Sequence, residues 1–256
     1  MASGIDLEGQ HVFVAGGSRG IGAAAAKMAA GFGARVSLTY QNNQAAAEAV
    51  VTSILGAGGQ AHSYHVTVED EASVSAAVDD AVSQFGELNG MVVSAGVFEH
   101  CKIEDMSAAF WDRTQSINMR GTVWCVKSSA KHMRAHGKGG SIVIYASTAG
   151  QAGGGGGASA YAVSKAGQIV FARCMAHELA GDDIRVNSVA PGWTETDMAA
   201  PHLERRGRET EAKRFPLGRI GLPDDVASAT CYLLSDMAGF VTGTVHTVDG
   251  GMAMRG

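Results

Sequence analysis

The regular alternation of short apolar segments with amphipathic segments is the feature that most constrains this chain. Helical periodicity covers Ile21 to Phe32, 44–55, 71–85, about 107–135, Tyr161 to Leu179 and Asp224 to Leu234. Strands that alternate with such helices form βαβ units, so the pattern predicts an α/β protein with a parallel sheet. The predicted strands are HVFVAG (11–16), ARVSLTY (34–40), QAHSYHV (60–66), GMVVSAG (90–96), GSIVIYAS (140–147), IRVNSVA (184–190) and VHTVDG (245–250).

The organisation of the chain predicts a single domain over residues 1–256. The 256 residues are 46% hydrophobic, which is enough for one large core, and there is no composition break, internal repeat or Pro/Ser linker. One long irregular stretch, Gly192 to Leu222, exceeds an ordinary connection, and we expect a substrate loop or lid there.

Charge and cysteine usage argue against several classes of function. The formal net charge is −5 with no block of like charges, so neither a nucleic acid nor an anionic membrane is an expected partner. The four cysteines lie far apart and form no C-x-x-C pair, so no metal site is expected. No signal peptide or membrane-spanning run is recognised at the sequence level, and we expect a cytoplasmic protein.

A glycine-rich turn follows the first predicted strand, in VFVAGGSRGIGAAAAKMA. Gly16, Gly20 and Gly22 stand where a tight turn and the close approach of a pyrophosphate exclude side chains, and the following helix offers N–H donors to the anion. The G-x-x-x-G-x-G spacing differs from the more common G-x-G-x-x-G. An ordinary glycine-rich βα turn is the alternative, but the position between the first strand and the first helix favours dinucleotide binding.

Tyr161 and Lys165 are separated by one helical turn, so their side chains share a face. A tyrosine of ordinary pKa, about 10, is a poor base at neutral pH. A lysine ammonium about 4 Å away favours the phenolate by roughly 4 kcal/mol at an effective dielectric of about 20. The pair therefore predicts a tyrosine whose pKa is lowered toward the operating pH, whereas a surface pair without function is the alternative.

Several motifs in order make the chain resemble the short-chain dehydrogenase/reductase family, in its Tyr-x-x-x-Lys branch. Besides the glycine-rich turn they are SAG (94–96), INMRG (117–121), YAST (145–148), YAVSK (161–165), VAPGWTETDM (189–198) and FVTGTVHTVDGG (240–251). The resemblance covers nearly the whole chain. It implies a single-domain, doubly wound Rossmann fold, with a seven-stranded, mainly parallel sheet and helices on both faces, and it implies a homotetramer.

The resemblance also implies residue roles. Tyr161 is the expected general acid and base, Lys165 also binds the nicotinamide ribose, Ser147 binds the substrate oxygen, and Asn118 holds a water that relays protons to the lysine. Further expected cofactor-binding residues are Gly16, Ser18, Arg19, Gly20, Ile21, Gly22, Tyr40, Gln41, Asn42, His65, Val66, Ser94, Ala95, Gly96, Pro191, Gly192, Thr194 and Thr196.

The end of the second strand bears on the choice between NADP(H) and NAD(H). A carboxylate there would accept hydrogen bonds from the ribose 2′-hydroxyl and repel a 2′-phosphate. The chain instead has Tyr40, Gln41, Asn42 and Asn43, and Arg19 in the glycine-rich turn is suited to a phosphate. These residues favour NADP(H), with NAD(H) as the alternative.

Three departures from the family pattern concern the cofactor rather than the chemical step. Ala15 replaces a usual Thr, His65 replaces an Asp that meets the adenine, and Val93 and Ser94 replace an Asn pair.

Three other functions on this fold are less consistent with the chain. A nucleotide sensor would lose Tyr161 or Lys165, a dehalogenase would replace the lysine, and the enoyl-reductase branch has a longer Tyr–Lys spacing.

The substrate is the least determined property. The acidic GDD (181–183) after the Tyr161 helix argues against docking of an acidic carrier protein. It favours a small free hydroxy or keto compound, such as a sugar derivative, a polyol or a cyclic ketone. The alternatives are 3-oxoacyl-carrier-protein reduction and NAD-dependent oxidation of a sugar or polyol.

Two segments flank the expected substrate site. Gly153 to Gly157 lie between Ser147 and Tyr161, so we expect a substrate-facing loop that tightens when ligand binds, rather than a linker. In the lid, four arginines either hold an anionic substrate or, as charge runs usually do, form a solvated helix face, namely Arg205, Arg206, Arg208 and Arg214.

Overall fold

The computed structural model describes residues 4–253 and shows seven strands in one sheet, in the order β3-β2-β1-β4-β5-β6-β7. Every neighbouring pair of these strands is parallel. The order turns back between β2 and β4, on either side of β1, and in open parallel sheets a ligand binds at the carboxyl end of such a switch point. The strands are β1 His11–Ala15, β2 Arg35–Tyr40, β3 Gln60–His65, β4 Gly90–Val93, β5 Gly140–Tyr145, β6 Ile184–Pro191 and β7 Val245–Val248.

Helices cover both faces of this sheet, which explains why its central strands are apolar at nearly every position. Successive residues of β1 point to opposite faces: Val12 and Val14 pack in a core beneath one layer of helices, whereas Phe13 and Ala15 pack in a second core beneath the other layer. The helices are α1 Gly20–Gly31, α2 Gln44–Gly56, α3 Glu71–Phe85, α4 Ala108–Gln115, α5 Gly121–His136, α6 Thr148–Ala152, α7 Ser159–Glu178, α8 Ala200–Arg206, α9 Arg208–Ala212 and α10 Pro223–Leu234.

The predicted fold class is confirmed, and the strand positions agree with the sequence to within a few residues. Two elements differ. The helix expected over about 107–135 is divided into α4 and α5 by a π-helical turn at Ser116–Arg120, because the carbonyl of Ser116 bonds the amide of Gly121, five residues on. The stretch 192–222, expected to be irregular, contains the short helices α8 and α9, which pack through Leu203 on a small core with Phe215 and Ile220.

Candidate active site

Three residues singled out by the sequence form one cluster beyond the carboxyl end of β5. Ser147 begins α6, and its Oγ accepts a hydrogen bond from the Ala149 amide at 3.1 Å. Tyr161 and Lys165 lie one turn apart near the start of α7. The Ser147 side chain is hydrogen-bonded to Tyr161, and the Lys165 Nζ lies 5.6 Å from the centre of the Tyr161 ring.

Close packing of α6 on α7 holds this cluster together. A Cβ at Gly150 would lie 2.6 Å from the carbonyl carbon of Lys165, a distance that no real side chain tolerates. Only glycine at this position lets α6 approach the backbone of α7. Gly150 therefore fixes the position of Ser147 relative to Tyr161, a role that the sequence motifs did not reveal.

Burial dominates the protonation of the tyrosine and the lysine. It raises the pKa of Tyr161 to about 12, although the hydrogen bond with Ser147 acts in the opposite direction. It lowers the pKa of Lys165 to about 7. The prediction that Lys165 brings the tyrosine pKa down toward neutrality is therefore wrong for this structure. The Lys165 Nζ instead donates to the Tyr145 carbonyl at 2.6 Å and to the Gln168 Oε1 at 2.9 Å.

Asn118 lies fully buried in the π turn, where protein groups engage both its side chain and its carbonyl. Its side chain donates to the Val97 carbonyl and to the Ser164 Oγ, and it accepts from the Val97 amide. Its carbonyl accepts from the Gln168 Nε2 at 2.9 Å and from the Thr122 Oγ1 at 2.6 Å. Among the described residues, Gln168 connects Asn118 to Lys165 by hydrogen bonds, and sequence reasoning missed it because no motif contains it. The expected water relay from Asn118 to the lysine stays a prediction.

The glycine-rich turn has the geometry that a dinucleotide requires. Gly16 has φ +80°, and a Cβ there would lie 2.7 Å from the Ala95 nitrogen, so the turn packs directly on the segment after β4. The Gly16 amide donates to the Thr39 Oγ1 at 2.9 Å, a support that the sequence did not indicate. Helix α1 begins at Gly20 without a side-chain cap, so its first N–H groups are available to an anion. These residues fit the pyrophosphate of a dinucleotide.

The remaining cofactor candidates occupy the same edge of the sheet. Tyr40 and His65 are paired in register at the ends of β2 and β3, with ring centres 5.6 Å apart. Arg19 is exposed, and its side chain has no hydrogen-bond or ion-pair partner within residues 4–253. Ile21 and Gly22 lie in the first turn of α1. Ser18 lies in the turn before α1, Gln41 and Asn42 follow β2, Val66 follows β3, and Ser94, Ala95 and Gly96 follow β4.

The segment after β6 lies against the glycine-rich turn. Pro191 ends β6, and the Gly192 amide donates to the Val248 carbonyl at 3.0 Å. The Thr194 Oγ1 donates to the Gly192 carbonyl at 3.1 Å. Thr196 is close enough to Gly20 that a Cβ on that glycine would lie 3.3 Å from the threonine methyl. The structure therefore places Thr196 at the start of α1, whereas Thr194 pairs with Gly221.

An aromatic cluster, which sequence reasoning did not identify, extends from the tyrosine to the lid. The ring of Phe98 lies 4.7 Å from that of Tyr161 and 6.0 Å from that of Trp193. Trp193 stacks on His202 with ring centres 3.9 Å apart and planes 8° apart. These four residues come from three segments, namely the stretch after β4, α7 and the lid, so only the folded chain reveals the cluster. We call Phe98, Trp193 and His202 the aromatic wall.

The lid arginines are largely paired with acidic residues. Glu211 is fully buried, and it contacts Arg214 and lies 3.7 Å from the Arg206 Nε. Arg208 pairs with Glu195 at 2.6 Å. Arg205 is exposed. This pairing favours a structural and solvated role for these arginines over the capture of an anionic substrate.

The glycine run connects α6 to α7 and contacts the segment after β4. The Cys101 amide donates to the Gly157 carbonyl at 2.8 Å, and the His100 Nδ1 lies 2.9 Å from the Gly156 carbonyl oxygen. Gly153, Gly156 and Gly157 all have positive φ. The expectation that this loop tightens on ligand binding stays a prediction. Within residues 4–253, no group of three or more His, Cys, Asp or Glu side chains is arranged to hold a metal ion.

None of the described helices is both long enough and apolar enough to span a membrane.

Comparisons with known proteins agree over nearly the full length of the chain. A family model described as enoyl-(acyl carrier protein) reductase matches residues 15–253. A cis-4-hydroxycyclohexanecarboxylate dehydrogenase from Sinomonas cyclohexanicum is 38% identical, covering 93% of this chain and 94% of the relative. An L-rhamnose 1-dehydrogenase (NAD(P)(+)) from a Sphingomonas species is 37% identical, and the match covers 96% of this chain and 97% of the relative.

The solved structures agree with these matches. The crystal structure of a dehydrogenase/reductase from Sinorhizobium meliloti 1021 superposes with a TM-score of 0.91 at 35% identity, covering 98% of this chain and 97% of the other. The likeness therefore extends over the sheet, the helices and the lid together.

Proposed function

Because the chain belongs to the short-chain dehydrogenase/reductase family, whose members are NAD(P)-binding oxidoreductases, we propose that it interconverts a secondary alcohol and a ketone with NADP(H). The observation that carries this proposal is the cluster of Ser147, Tyr161 and Lys165 beyond β5, on the same sheet edge as the glycine-rich turn. A tyrosine beside a hydroxyl and an amine, next to a nucleotide cradle, has the groups that carbonyl reduction needs.

The bound nicotinamide cofactor supplies or accepts the hydride. The Tyr161 hydroxyl gives a proton to the carbonyl oxygen during reduction, and its phenolate takes the alcohol proton during oxidation. Ser147 donates a hydrogen bond to the same oxygen and stabilises the charge that develops there. The Lys165 Nζ lies 5.6 Å from the centre of the Tyr161 ring, so a protonated Lys165 favours the phenolate, an effect smaller than the opposing effect of burial on both groups.

The preference for NADP(H) rests on charge at the end of β2. Tyr40, Gln41 and Asn42 provide no carboxylate to repel a 2′-phosphate, and Arg19, whose exposed side chain is unpaired, directly precedes the neighbouring helix α1. An arginine is well suited to bind a phosphate through two parallel hydrogen bonds.

Cofactor preference is tested by comparing kcat/KM for NADP(H) and NAD(H) in wild type and in Arg19→Gln. We expect wild type to prefer NADP(H), and the substitution to weaken use of NADP(H) by roughly tenfold or more, the value of one charged hydrogen bond, while NAD(H) is used as before. Arg120→Gln, at an exposed arginine on the π turn, is the control. Equal or better use of NAD(H) by wild type contradicts the preference.

The aromatic wall supports a small, ring-shaped or largely apolar carbonyl substrate. Phe98 and Trp193 present apolar ring surface beside Tyr161, and such surface suits a cyclic ketone better than a heavily hydroxylated sugar. The similarity to a cis-4-hydroxycyclohexanecarboxylate dehydrogenase supports a cyclic substrate, whereas the similarity to an L-rhamnose 1-dehydrogenase is the reason that sugars are included in the assay below.

Carrier-protein reduction is the competing function, and the description of the matching family model names a carrier protein. The sequence argument against it does not hold. Asp182 and Asp183 precede β6, so they lie at the amino edge of the sheet, away from Tyr161, and Asp182 pairs with Arg134 at 2.6 Å. A better argument is the lid. Residues 192–222 contain five acidic and six basic side chains, so they offer an acidic carrier little net positive charge.

A panel assay with NADPH tests the function. It compares cyclic ketones, sugars, a 3-oxoacyl thioester and an enoyl thioester. We expect reduction of cyclic ketones and a loss of kcat by about 10²-fold or more in Tyr161→Phe, the size of a positioned acid-base group. Tyr145→Phe is the matched control, because Tyr145 is a buried tyrosine whose hydroxyl bonds to Thr230. Preferred reduction of either thioester, or equal effects of the two substitutions, contradicts the proposal.

A further inference from the structure

Gln168 is a fully buried polar residue whose contacts connect two parts of the candidate site. It follows Lys165 by three residues, so both side chains leave α7 on the same face. Its Oε1 accepts from the Lys165 Nζ at 2.9 Å. Its Nε2 donates to the Asn118 carbonyl at 2.9 Å and to the Thr122 Oγ1 at 2.7 Å.

The chemistry of the partners fixes the orientation of this amide. The lysine ammonium only donates and the Asn118 carbonyl only accepts, so the amide oxygen has to face Lys165 and the amide nitrogen has to face Asn118. A rotated amide would place two donors together and two acceptors together. The Thr122 hydroxyl completes the network, because it accepts from Gln168 and donates to the Asn118 carbonyl.

We propose that Gln168 is a positioning residue for Lys165: its side-chain amide holds the amine in place and ties it to the Asn118 carbonyl in the π turn. The inference rests on the proposed function, since the position of Lys165 matters to the reaction only if Tyr161 is its acid and base. Two of the three ammonium protons are directed to Tyr145 and Gln168, so one donor is left for the cleft.

Other titratable groups near Lys165 are few. Tyr161 lies on its own helix, and Tyr145 on β5 turns its hydroxyl toward Thr230 on the other side of the sheet. On the π turn, Arg120 is exposed. A change in the titration of Lys165 after substitution of Gln168 is therefore attributable to the amide itself.

The test follows the titration of Lys165 by nuclear magnetic resonance of the protein labelled with ¹³C at the lysine Cε, without cofactor. Lys165→Met assigns the signal. In Gln168→Leu we expect the midpoint to move to lower pH, because an apolar group replaces the oxygen that stabilises the ammonium. In Gln168→Glu we expect the midpoint to move to higher pH, because a carboxylate replaces the amide. Opposite shifts are not produced by a general loosening of the fold.

Kinetics provide the second measurement. We expect Gln168→Leu to lower kcat by roughly tenfold or more, the value of a hydrogen bond to a charged group, and to shift the pH dependence of kcat. Gln168→Ala leaves room for a water between Lys165 and Asn118, so we expect it to retain more activity than Gln168→Leu. Equal losses in the two variants overturn the bridging role.

Gln115→Leu is the matched control, because Gln115 also donates to the backbone of α7, at the Ala160 carbonyl, but does not contact Lys165. We expect it to leave the Lys165 midpoint in place. An unchanged midpoint in both Gln168→Leu and Gln168→Glu overturns the inference, even if wild type reduces ketones. Absence of ketone reduction by wild type, with the midpoint shifts present, counts against the proposed function alone.

Discussion

At the residue scale, Lys165 combines deep burial with the absence of an acidic partner. Its side chain is 5% exposed, and none of its described contacts is to a carboxylate. Two neutral oxygens, from Tyr145 and Gln168, compensate the ammonium only in part, which is why burial lowers the pKa of Lys165 to about 7. A buried amine with a pKa near neutrality costs folding stability, and such costs often accompany function.

This cost predicts a pH-dependent gain in stability for Lys165→Met. In the unfolded chain the lysine keeps its ordinary pKa of 10.5, so between about pH 7 and 10.5 the unfolded chain binds a proton that the folded protein has released. The stability of wild type therefore rises with pH in this window. The free energy of unfolding of Lys165→Met exceeds that of wild type by most near pH 7 and below. As the pH rises above 7, this difference decreases by up to about 1.4 kcal/mol per pH unit.

Urea unfolding of both proteins between pH 7 and about 9 measures this difference. The range stops there because a second group titrates at higher pH. Above about pH 10 a tyrosine loses its proton in the unfolded chain, whereas Tyr161, whose pKa is raised to about 12, keeps its proton in the folded protein, so the stability of the folded protein decreases. Lys127→Met, at a mostly exposed lysine, is the control, and its difference in stability from wild type should stay constant with pH. A constant difference between wild type and Lys165→Met across the range contradicts the prediction.

The sequence predicted the site residues that belong to motifs, and missed those defined only by contacts. Tyr161, Lys165 and the glycines have fixed spacing along the chain, so one helix or one turn is enough to relate them. Gln168 acts through Asn118, fifty residues away, and Thr39 supports Gly16 from the neighbouring strand. Such pairs are visible only when the strands and helices have packed.

At the element scale, elements with a clear sequence period were predicted correctly, whereas elements that depend on packing were not. Strands and helices with a clear period were predicted closely because their core-facing residues are set by the period itself. The π turn that carries Asn118 inserts one residue into an otherwise continuous helical segment, so helical periodicity alone predicts one helix there and does not reveal the changed hydrogen bonds. Helices α8 and α9 are too short for a period to be recognised, and they depend on packing.

The lid is held by the buried carboxylate of Glu211. This carboxylate lies among Arg206, Arg214 and His202, and the His202 Nε2 is 3.6 Å from the Glu211 Oε1. Burial lowers the pKa of His202, although Glu211 acts in the opposite direction, so a neutral ring stacks on Trp193 near pH 7. The carboxylate therefore supports the helix that carries one end of the aromatic wall.

We expect Glu211→Gln to loosen the lid while the sheet stays intact. Loss of one partner of a buried ion pair costs about 3–5 kcal/mol locally. Hydrogen exchange of residues 199–213 should accelerate, exchange of β1 should stay unchanged, and KM for the ketone should rise more than kcat falls. Glu209→Gln, at an exposed carboxylate on the same helix, is the control. Equal exchange in the two variants contradicts this role of Glu211.

At the scale of the whole molecule, the site is assembled where parallel strands end together. The glycine-rich turn follows β1, the Ala95 segment follows β4, Ser147 follows β5 and the lid follows β6. Each segment is distant in sequence from the others, yet the strand order places their ends side by side. Substitutions that change strand order or pairing would therefore disrupt cofactor and substrate contacts together.

Among the exposed apolar side chains of the described residues, we propose that those on α7 and Phe240 lie in interfaces of a homotetramer. On α7, Val163 and Val170 lie two turns apart on one face and are 51% and 57% exposed. Phe240, before β7, is completely exposed. Large apolar side chains left in water at two separate places suit the two kinds of twofold contact in a tetramer.

Light scattering coupled to size-exclusion chromatography tests this assembly. We expect wild type to have four times the mass of one chain. Val170→Asp and Phe240→Asp should each reduce the mass to that of two chains, because a charge buried in either apolar contact lacks a partner. Leu55→Asp is the matched control, because Leu55 is an equally exposed apolar residue, 53%, but lies on α2, away from both interfaces. A monomeric wild type, or dissociation by Leu55→Asp to the same extent, contradicts the proposed interfaces.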